Sequence, residues 1–231
     1  MRNYVVVIPA YQPMDTIHLY INDLLQNQVA RVIVVDDGND EDYDNLFEQL
    51  EQFKRCTVLR HETNKGKGAA LKTAFTYYLK HYFHHAGVVT ADADGQHLIK
   101  DVLKVGDHLD RMGEGFILGT RVFYRKDMPV RSFIGNTITS QVFSMLFGKY
   151  IGDTQTGLRG ITTKELEWVV HLRGSNFDYE MNMLIAMVQE NSRIVRVDIE
   201  AVYAEEHFST YNTYIDSVRI AGQLARGYIN K

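Results

Sequence analysis

Residues 88–98 read VVTADADGQHL. Val88, Val89 and Thr90 make an apolar, β-branched run, the pattern of a strand buried on both faces. The run ends in Asp92 and Asp94, one residue apart, with Gln96 and His97 just beyond. Asp and Gly at a strand exit form a turn, which accounts for one aspartate. Two adjacent carboxylates repel each other unless positive charge lies between them. Aspartate and glutamine oxygens are hard donors that suit Mg2+ or Mn2+, and Mg2+ needs few protein ligands because it keeps waters and shares itself with substrate phosphates. The stretch is therefore either a solvated turn or one wall of a divalent-cation site.

The same strand-then-acid pattern recurs outward from this point. YVVVIPA (4–10), RVIVVDDG (31–38) and CTVLRH (56–61) read as strands, and AGVVTAD (86–92) is the fourth. Between them lie helical patterns over 14–28, 41–53 and 66–83, the last opened by glycines. Strands alternating with helices specify a mostly parallel α/β sheet with right-handed crossovers, Rossmann-like and flanked by helices. Such sheets bind ligands outside the carboxyl ends of their strands. The polar signals fall there: Pro9-Ala10-Tyr11, Asp36-Asp37-Gly38 and Asp92-Ala93-Asp94. Further on, the sequence predicts helices over 97–109, 131–150, 176–191 and 213–229, and strands over 115–121, ending in Arg121, and 193–203. DTQTGLRGIT (153–162) reads as a polar turn leading into a strand. No composition shift divides the chain, so 1–231 is expected to be one domain.

Composition narrows the function classes. A net charge of −4 argues against a broad nucleic-acid-binding surface. The lone cysteine, Cys56, excludes an internal disulfide framework and suits a reducing compartment. The chain enters its first strand directly, without the pattern of a secretory leader, and it lacks an uninterrupted apolar run of about 18 residues that would cross a membrane.

Other motifs carry less information singly. In VVDDGND (34–40) a carboxylate can form the turn or accept a hydrogen bond from a nucleobase N–H. NKGKGAA (64–70) lacks the spacing of a Walker loop, yet its two lysines at a helix N-terminus oppose the helix dipole and make room for an anion. His81, His84 and His85 lie near a helix end, where cationic side chains are favourable, and no Cys or carboxylate at zinc spacing accompanies them. In the helix over 131–150, Phe133, Ile134, Ile138, Val142, Met145 and Leu146 form a broad apolar face, widened by Phe143 and Phe147, with Arg125, Lys126 and Arg131 nearby. It reads either as a core helix or as one lying in a membrane interface beside anionic lipid.

Taken in order, VVIPAYQ, VIVVDDGND, NKGKGAALKTAF, TADADGQH, ILGTR, DTQTGLRGI, FDYEMNML and VYAEEHFSTYNTYIDSVRI resemble glycosyltransferase family 2, the inverting enzymes of the GT-A fold. The closest likeness is to the polyprenyl-phosphate branch that includes dolichyl-phosphate mannose synthase. The resemblance spans nearly the whole chain. It implies a nucleoside-diphosphate sugar donor, UDP- or GDP-linked, held by Pro9, Ala10, Tyr11, Val35, Asp36, Asp37 and Lys67, with Asp92, Ala93, Asp94 and Arg121 toward the sugar diphosphate. It implies Mg2+ or Mn2+ on Asp94 and Gln96, with Asp92 as third ligand directly or through water. Arg131 would face a phosphate of donor or acceptor, and Asp153 and Glu180 would line the acceptor side.

The acceptor implied is a polyprenyl phosphate, undecaprenyl or dolichyl, reached by peripheral contact at the inner face of the membrane from a cytoplasmic protein. Such an acceptor is already anionic near neutral pH and needs no strong general base. A hydroxyl acceptor, as in cell-wall or surface polysaccharide synthesis, would need one, and Asp153 or Glu180 is then the candidate. Two departures from the family pattern touch the donor: Gln12-Pro13 stands where Asn-Glu is frequent, and His207 and Ser209 stand where some members carry Arg and Lys. A nucleotide-binding module without transfer activity is the reading from another class, and a nucleotidyltransferase is disfavoured by the absence of glycine in PAYQPMD.

Overall fold

The structure is a computed structural model that describes residues 1–121 and 130–200, with the side chains of 130–135 outside that description. The β-branched runs form the strands the sequence predicts. They are β1 (Val5–Ala10), β2 (Arg31–Asp36), β3 (Cys56–Arg60) and β4 (Gly87–Thr90). Helices α1 (Ile17–Gln26), α2 (Asp44–Glu51) and α3 (Lys67–His81) connect them. Then follow α4 (Ile99–Leu109), β5 (Phe116–Arg121), α5 (Val130–Phe147), β6 (Arg159–Thr162), α6 (Thr163–Val169), α7 (Phe177–Gln189) and β7 (Ile194–Ile199). The short helix α6 is an addition to the sequence reading. The expected helix over 213–229 and the end of the strand over 193–203 lie outside the described residues.

The sheet has the order β3-β2-β1-β4-β6-β5-β7. β6 pairs antiparallel with both β4 and β5, while every other pairing is parallel. The chain first steps outward from β1 to β2 and β3, then returns to place β4 on the other side of β1. That reversal opens a crevice beyond the carboxyl ends of β1 and β4, where doubly wound sheets bind ligands. Pro9 shows how the crevice starts. Val7 is the last residue of β1 paired to β4, and its carbonyl accepts a final hydrogen bond from the Ala91 amide. Backbone polar groups alternate sides along a strand, so the amide that Pro9 lacks would point to the β4 side, where the ladder has already ended. A proline in a central strand is tolerated there because no bond is lost.

Both faces of the sheet are covered, which is why the strand runs are continuous rather than alternating. Val5, Val7, Ile33, Val35, Val88, Phe116 and Leu118 pack with residues of α3, α5, α6 and α7. Val6, Ile8, Val32, Val34, Val89 and Ile117 pack with residues of α1, α2 and α4. α5 corrects one expectation. Phe143 and Phe147 are buried in the first of these clusters, in line with Asn136 and Ser140 at helical spacing. They are core residues, so they cannot widen a membrane-facing surface. The outward stripe is Ile138, Val142 and Met145.

Candidate active site

Acids gather beyond the strand ends, and the counter-charges come from the start of α3, the end of β5 and the start of β6. Asp92 leaves β4 into the crevice. Its Oδ1 lies 2.6 Å from the Nζ of Lys67, which in turn lies 3.1 Å from Glu180 Oε2. Lys67 is the first residue of α3 and Glu180 stands in the first turn of α7. A cation at a helix N-terminus is unfavourable with respect to the dipole, and here two carboxylates hold it in place. Burial opposes the charge of Lys67, yet Asp92 and Glu180 raise its pKa above the usual lysine value. Burial likewise opposes ionisation of Asp92, but the Lys67 ammonium above all, with Arg121, overcomes it and brings the carboxyl down to about 2. Asp94, exposed at the rim, shifts the other way: lost hydration and the neighbouring Asp92 charge raise it.

Gly157 explains how Asp92 is accommodated. A Cβ on that residue would sit 2.5 Å from Asp92 Oδ2, so only glycine leaves room for the carboxylate. The turn itself is braced at several points. The Gln96 amide donates to Asp94 Oδ1 at 3.0 Å, and the Asp92 amide donates to His97 Nδ1 at 3.0 Å. The Met14 amide reaches the Ala93 carbonyl at 3.3 Å, closing the 11–14 loop over the turn.

Arg121, at the end of β5, meets Asp153 in a two-pronged ion pair, Nε to Oδ2 at 2.7 Å and Nη2 to Oδ1 at 2.9 Å. The amides of Arg121 and Gln155 also donate to the same carboxylate, each at 3.2 Å. Asp153 is fully buried. Asn136 of α5 fixes this loop from below, donating to the Gly152 carbonyl at 2.9 Å and accepting from the Thr154 amide at 3.2 Å.

Asp36 and Asp37 are both buried, and both are occupied. Asp36 Oδ1 accepts from the amide and side chain of Asn39, at 3.0 and 2.6 Å. Asp37 accepts from the Lys65 amide at 3.0 Å, the Gly66 amide at 2.8 Å and the ring of His61 at 2.6 Å. It thus shapes the 63–67 loop and so sets where α3 and Lys67 begin. Val35 is buried in the core, which leaves only its backbone to face a nucleoside. Tyr11 is exposed beside the crevice, and Ala10 ends β1 with its carbonyl engaged by Asn39 at 2.9 Å. Of the remaining expectations, the Arg131 side chain, Arg125, Lys126, His207 and Ser209 lie outside the described residues.

Sequence reasoning missed one member altogether. Arg159 of β6 is fully buried, its Nε donating to the Thr156 carbonyl at 3.0 Å and its Nη1 to the Glu180 carbonyl at 2.7 Å. Burial lowers its pKa against the raising influence of Glu180, Asp153 and Asp92. An arginine in DTQTGLRGI looks like an ordinary surface charge, and nothing local marks it as buried. With it, among the described residues, Asp92, Asp94, Asp153 and Glu180 stand together with Lys67, Arg121 and Arg159.

No cluster of three His, Cys, Asp or Glu side chains arranged to hold a metal occurs among the described residues. The residues nevertheless fit a hard cation that completes its shell with substrate oxygens. Asp92, Asp94 and Gln96 each offer a side-chain oxygen as a hard donor, and no hydrogen bond to Asp94 Oδ2 occurs among the described residues.

Comparison with known proteins agrees with this geometry. Residues 5–162 match the family described as glycosyl transferase family 2. A UDP-N-acetylglucosamine–dolichyl-phosphate N-acetylglucosaminyltransferase of Methanococcus voltae is 28% identical over 218 residues, spanning 87% of this chain and 86% of that protein. A dolichyl-phosphate beta-glucosyltransferase of Saccharomyces cerevisiae is 26% identical over 249 residues, spanning 95% of this chain and 72% of that one. Among solved structures, glucosyl-3-phosphoglycerate synthase from Mycobacterium tuberculosis, in complex with Mn2+, UDP-glucose and phosphoglyceric acid, aligns with a TM-score of 0.72 at 19% identity, over 98% of this chain and 80% of that one. At that identity the likeness establishes the fold, GT-A.

Proposed function

The chain belongs to glycosyl transferase family 2, and from that premise we propose that it moves a hexose from a UDP- or GDP-sugar to a polyprenyl phosphate, with inversion at the anomeric carbon. The observation that carries the choice of acceptor is the state of the two candidate bases. Asp153 is buried in a two-pronged pair with Arg121, and Glu180 is paired with Lys67. Taking a proton from a hydroxyl would dismantle either pair. A phosphate oxygen is an anion already and attacks without a base, so carboxylates held in ion pairs favour a lipid phosphate over a sugar hydroxyl. The two dolichyl-phosphate transferases among the relatives support the same reading.

In this mechanism the phosphate oxygen of the acceptor forms a bond to the anomeric carbon as the bond from that carbon to the donor diphosphate breaks. Asp92, Asp94 and Gln96 are the residues that would hold Mg2+ or Mn2+, which when bound neutralises charge on the leaving diphosphate. Lys67 and Arg121 keep positive charge at the two sides of the crevice, preorganised by their carboxylate partners and so needing no rearrangement as negative charge develops. The loop shaped by Asp37 and the exposed ring of Tyr11 lie where the nucleoside would sit.

A lipid acceptor demands contact with a bilayer, and among the described residues no helix is long and apolar enough to cross one. We assign the contact to the outward face of α5. Ile138, Val142 and Met145 stand exposed in one stripe, with Tyr150 beyond. The segment 130–150 carries Arg131 and Lys149 and no acidic residue, which suits anionic lipid.

The test is a transfer assay with labelled UDP-N-acetylglucosamine, UDP-glucose and GDP-mannose, each with Mn2+. Dolichyl phosphate, unphosphorylated dolichol and a soluble sugar are offered as acceptors. Label extracted into organic solvent with dolichyl phosphate alone is the expected result. Transfer to a hydroxyl acceptor, or tight nucleotide binding with no turnover on any acceptor, would overturn it.

A further inference from the structure

We infer that His97 is a positioning residue, whose ring takes the place of a backbone carbonyl in closing the acidic turn and so aims Asp92 and Asp94 into the crevice. The inference rests on the metal-binding reading of that turn. The Asp92 amide donates to His97 Nδ1 at 3.0 Å. A ring nitrogen that accepts carries no proton, so the neutral imidazole holds its hydrogen on Nε2. That nitrogen lies 3.8 Å from Asp92 Oδ2, too far for a hydrogen bond but turned toward the same carboxylate. One ring thus holds the amide of Asp92 and presents a positive N–H dipole to its side chain.

The ring has little freedom to do anything else. His97 is buried, and its carbonyl accepts from the Tyr20 hydroxyl of α1 at 2.8 Å. The turn between the two aspartates and His97 includes Gly95 at φ 75°, a left-handed conformation that favours glycine. A residue so placed is tied at the ring to the acidic turn and at the backbone to the neighbouring helix. It touches no reacting atom. It acts through Asp92, as outer-shell groups act through the ligands they orient.

The test separates the acceptor nitrogen from mere bulk. His97→Asn places an oxygen near the Nδ1 position, whereas His97→Gln reaches only toward Nε2 and His97→Leu supplies neither. In the unliganded full chain, nitrogen-15 NMR should show the Nε2–H tautomer. Mn2+ titrations followed by electron paramagnetic resonance, in the presence of UDP, should show a 10–100-fold loss of affinity in the Leu and Gln variants, the range for outer-shell partners. The Asn variant should recover most of it, with all three melting as folded proteins. An Nδ1–H tautomer, equal affinities in the Asn and Leu variants, or parental affinity in the Leu variant would each overturn the proposal. If the parent itself takes up no Mn2+, the metal reading fails. The positioning role then stands or falls on whether UDP affinity follows the same order among the variants.

Discussion

Replacing Lys67 by Met tests the electrostatic core of the site. The ammonium is 2.6 Å from Asp92 and 3.1 Å from Glu180, and the three side chains are 18%, 24% and 10% exposed. Methionine keeps the unbranched stem as far as Cε but leaves two carboxylates without their shared cation. Removing one partner of a buried pair costs about 3–5 kcal/mol, and partial exposure places this case near about 3 kcal/mol. For a chain of this size each kcal/mol moves the melting temperature by roughly 2–4 °C, so the expected loss is roughly 6–12 °C at neutral pH. The pH dependence follows from the signs. Asp92 has a folded-state pKa of about 2, below its unfolded value, so its contribution is complete above the unfolded pKa and fades as pH falls toward 2. Lys67 is shifted upward, so its contribution persists through neutral pH and fades only in strong alkali. In Lys67→Met the Asp92 carboxylate loses the cation that opposed its protonation and takes up a proton more readily. The deficit should therefore shrink between pH 7.5 and pH 5. Circular-dichroism melts at both values measure this, and Lys67→Met combined with Asp92→Asn should be less destabilised than the two single effects added. A single variant that melts within 2 °C of the parent, or shows the same deficit at both pH values, would refute the reasoning.

Asp94→Asn should abolish Mn2+-dependent UDP binding while leaving the melting temperature within a few degrees, because Asp94 is exposed and makes no ion pair among the described residues; calorimetric titration with and without Mn2+ checks both halves. Asp37→Ala strips the acceptor from the Lys65 and Gly66 amides and from His61, so it should destabilise the fold by roughly 3 kcal/mol and weaken UDP binding through the displaced loop. If that variant melts like the parent yet loses UDP, the carboxylate belongs on the nucleoside instead. The faces of α5 should separate cleanly. Phe143→Ser with Phe147→Ser should unfold the protein, at about 3–5 kcal/mol for each buried ring. Ile138→Ser, Val142→Ser and Met145→Ser together should leave it folded and lower its co-sedimentation with anionic vesicles, and a folded triple variant that sediments like the parent would remove α5 from the membrane.

What the sequence determined by itself was local in character. Continuous β-branched runs such as VVVIPA and RVIVVD read as strands covered on both sides, and their alternation with helices points to a doubly wound sheet whose carboxyl ends carry the chemistry. Asp92, Asp94, Asp36 and Asp37 were visible because a charge after an apolar strand is conspicuous in one dimension. The tertiary structure decided what those charges do. Lys67 finds Asp92 and Glu180, Arg121 finds Asp153, and Arg159 disappears beneath them, all through pairings between residues far apart in the chain. No periodicity encodes such partners. The antiparallel insertion of β6 between β4 and β5 was equally hidden, because a four-residue strand has too short a pattern to declare its direction. α5 shows the limit most plainly: it is apolar on both faces, so helical spacing alone could not say which face enters the core. Only the cluster waiting for Phe143 and Phe147 settles that, and it leaves Ile138, Val142 and Met145 facing out.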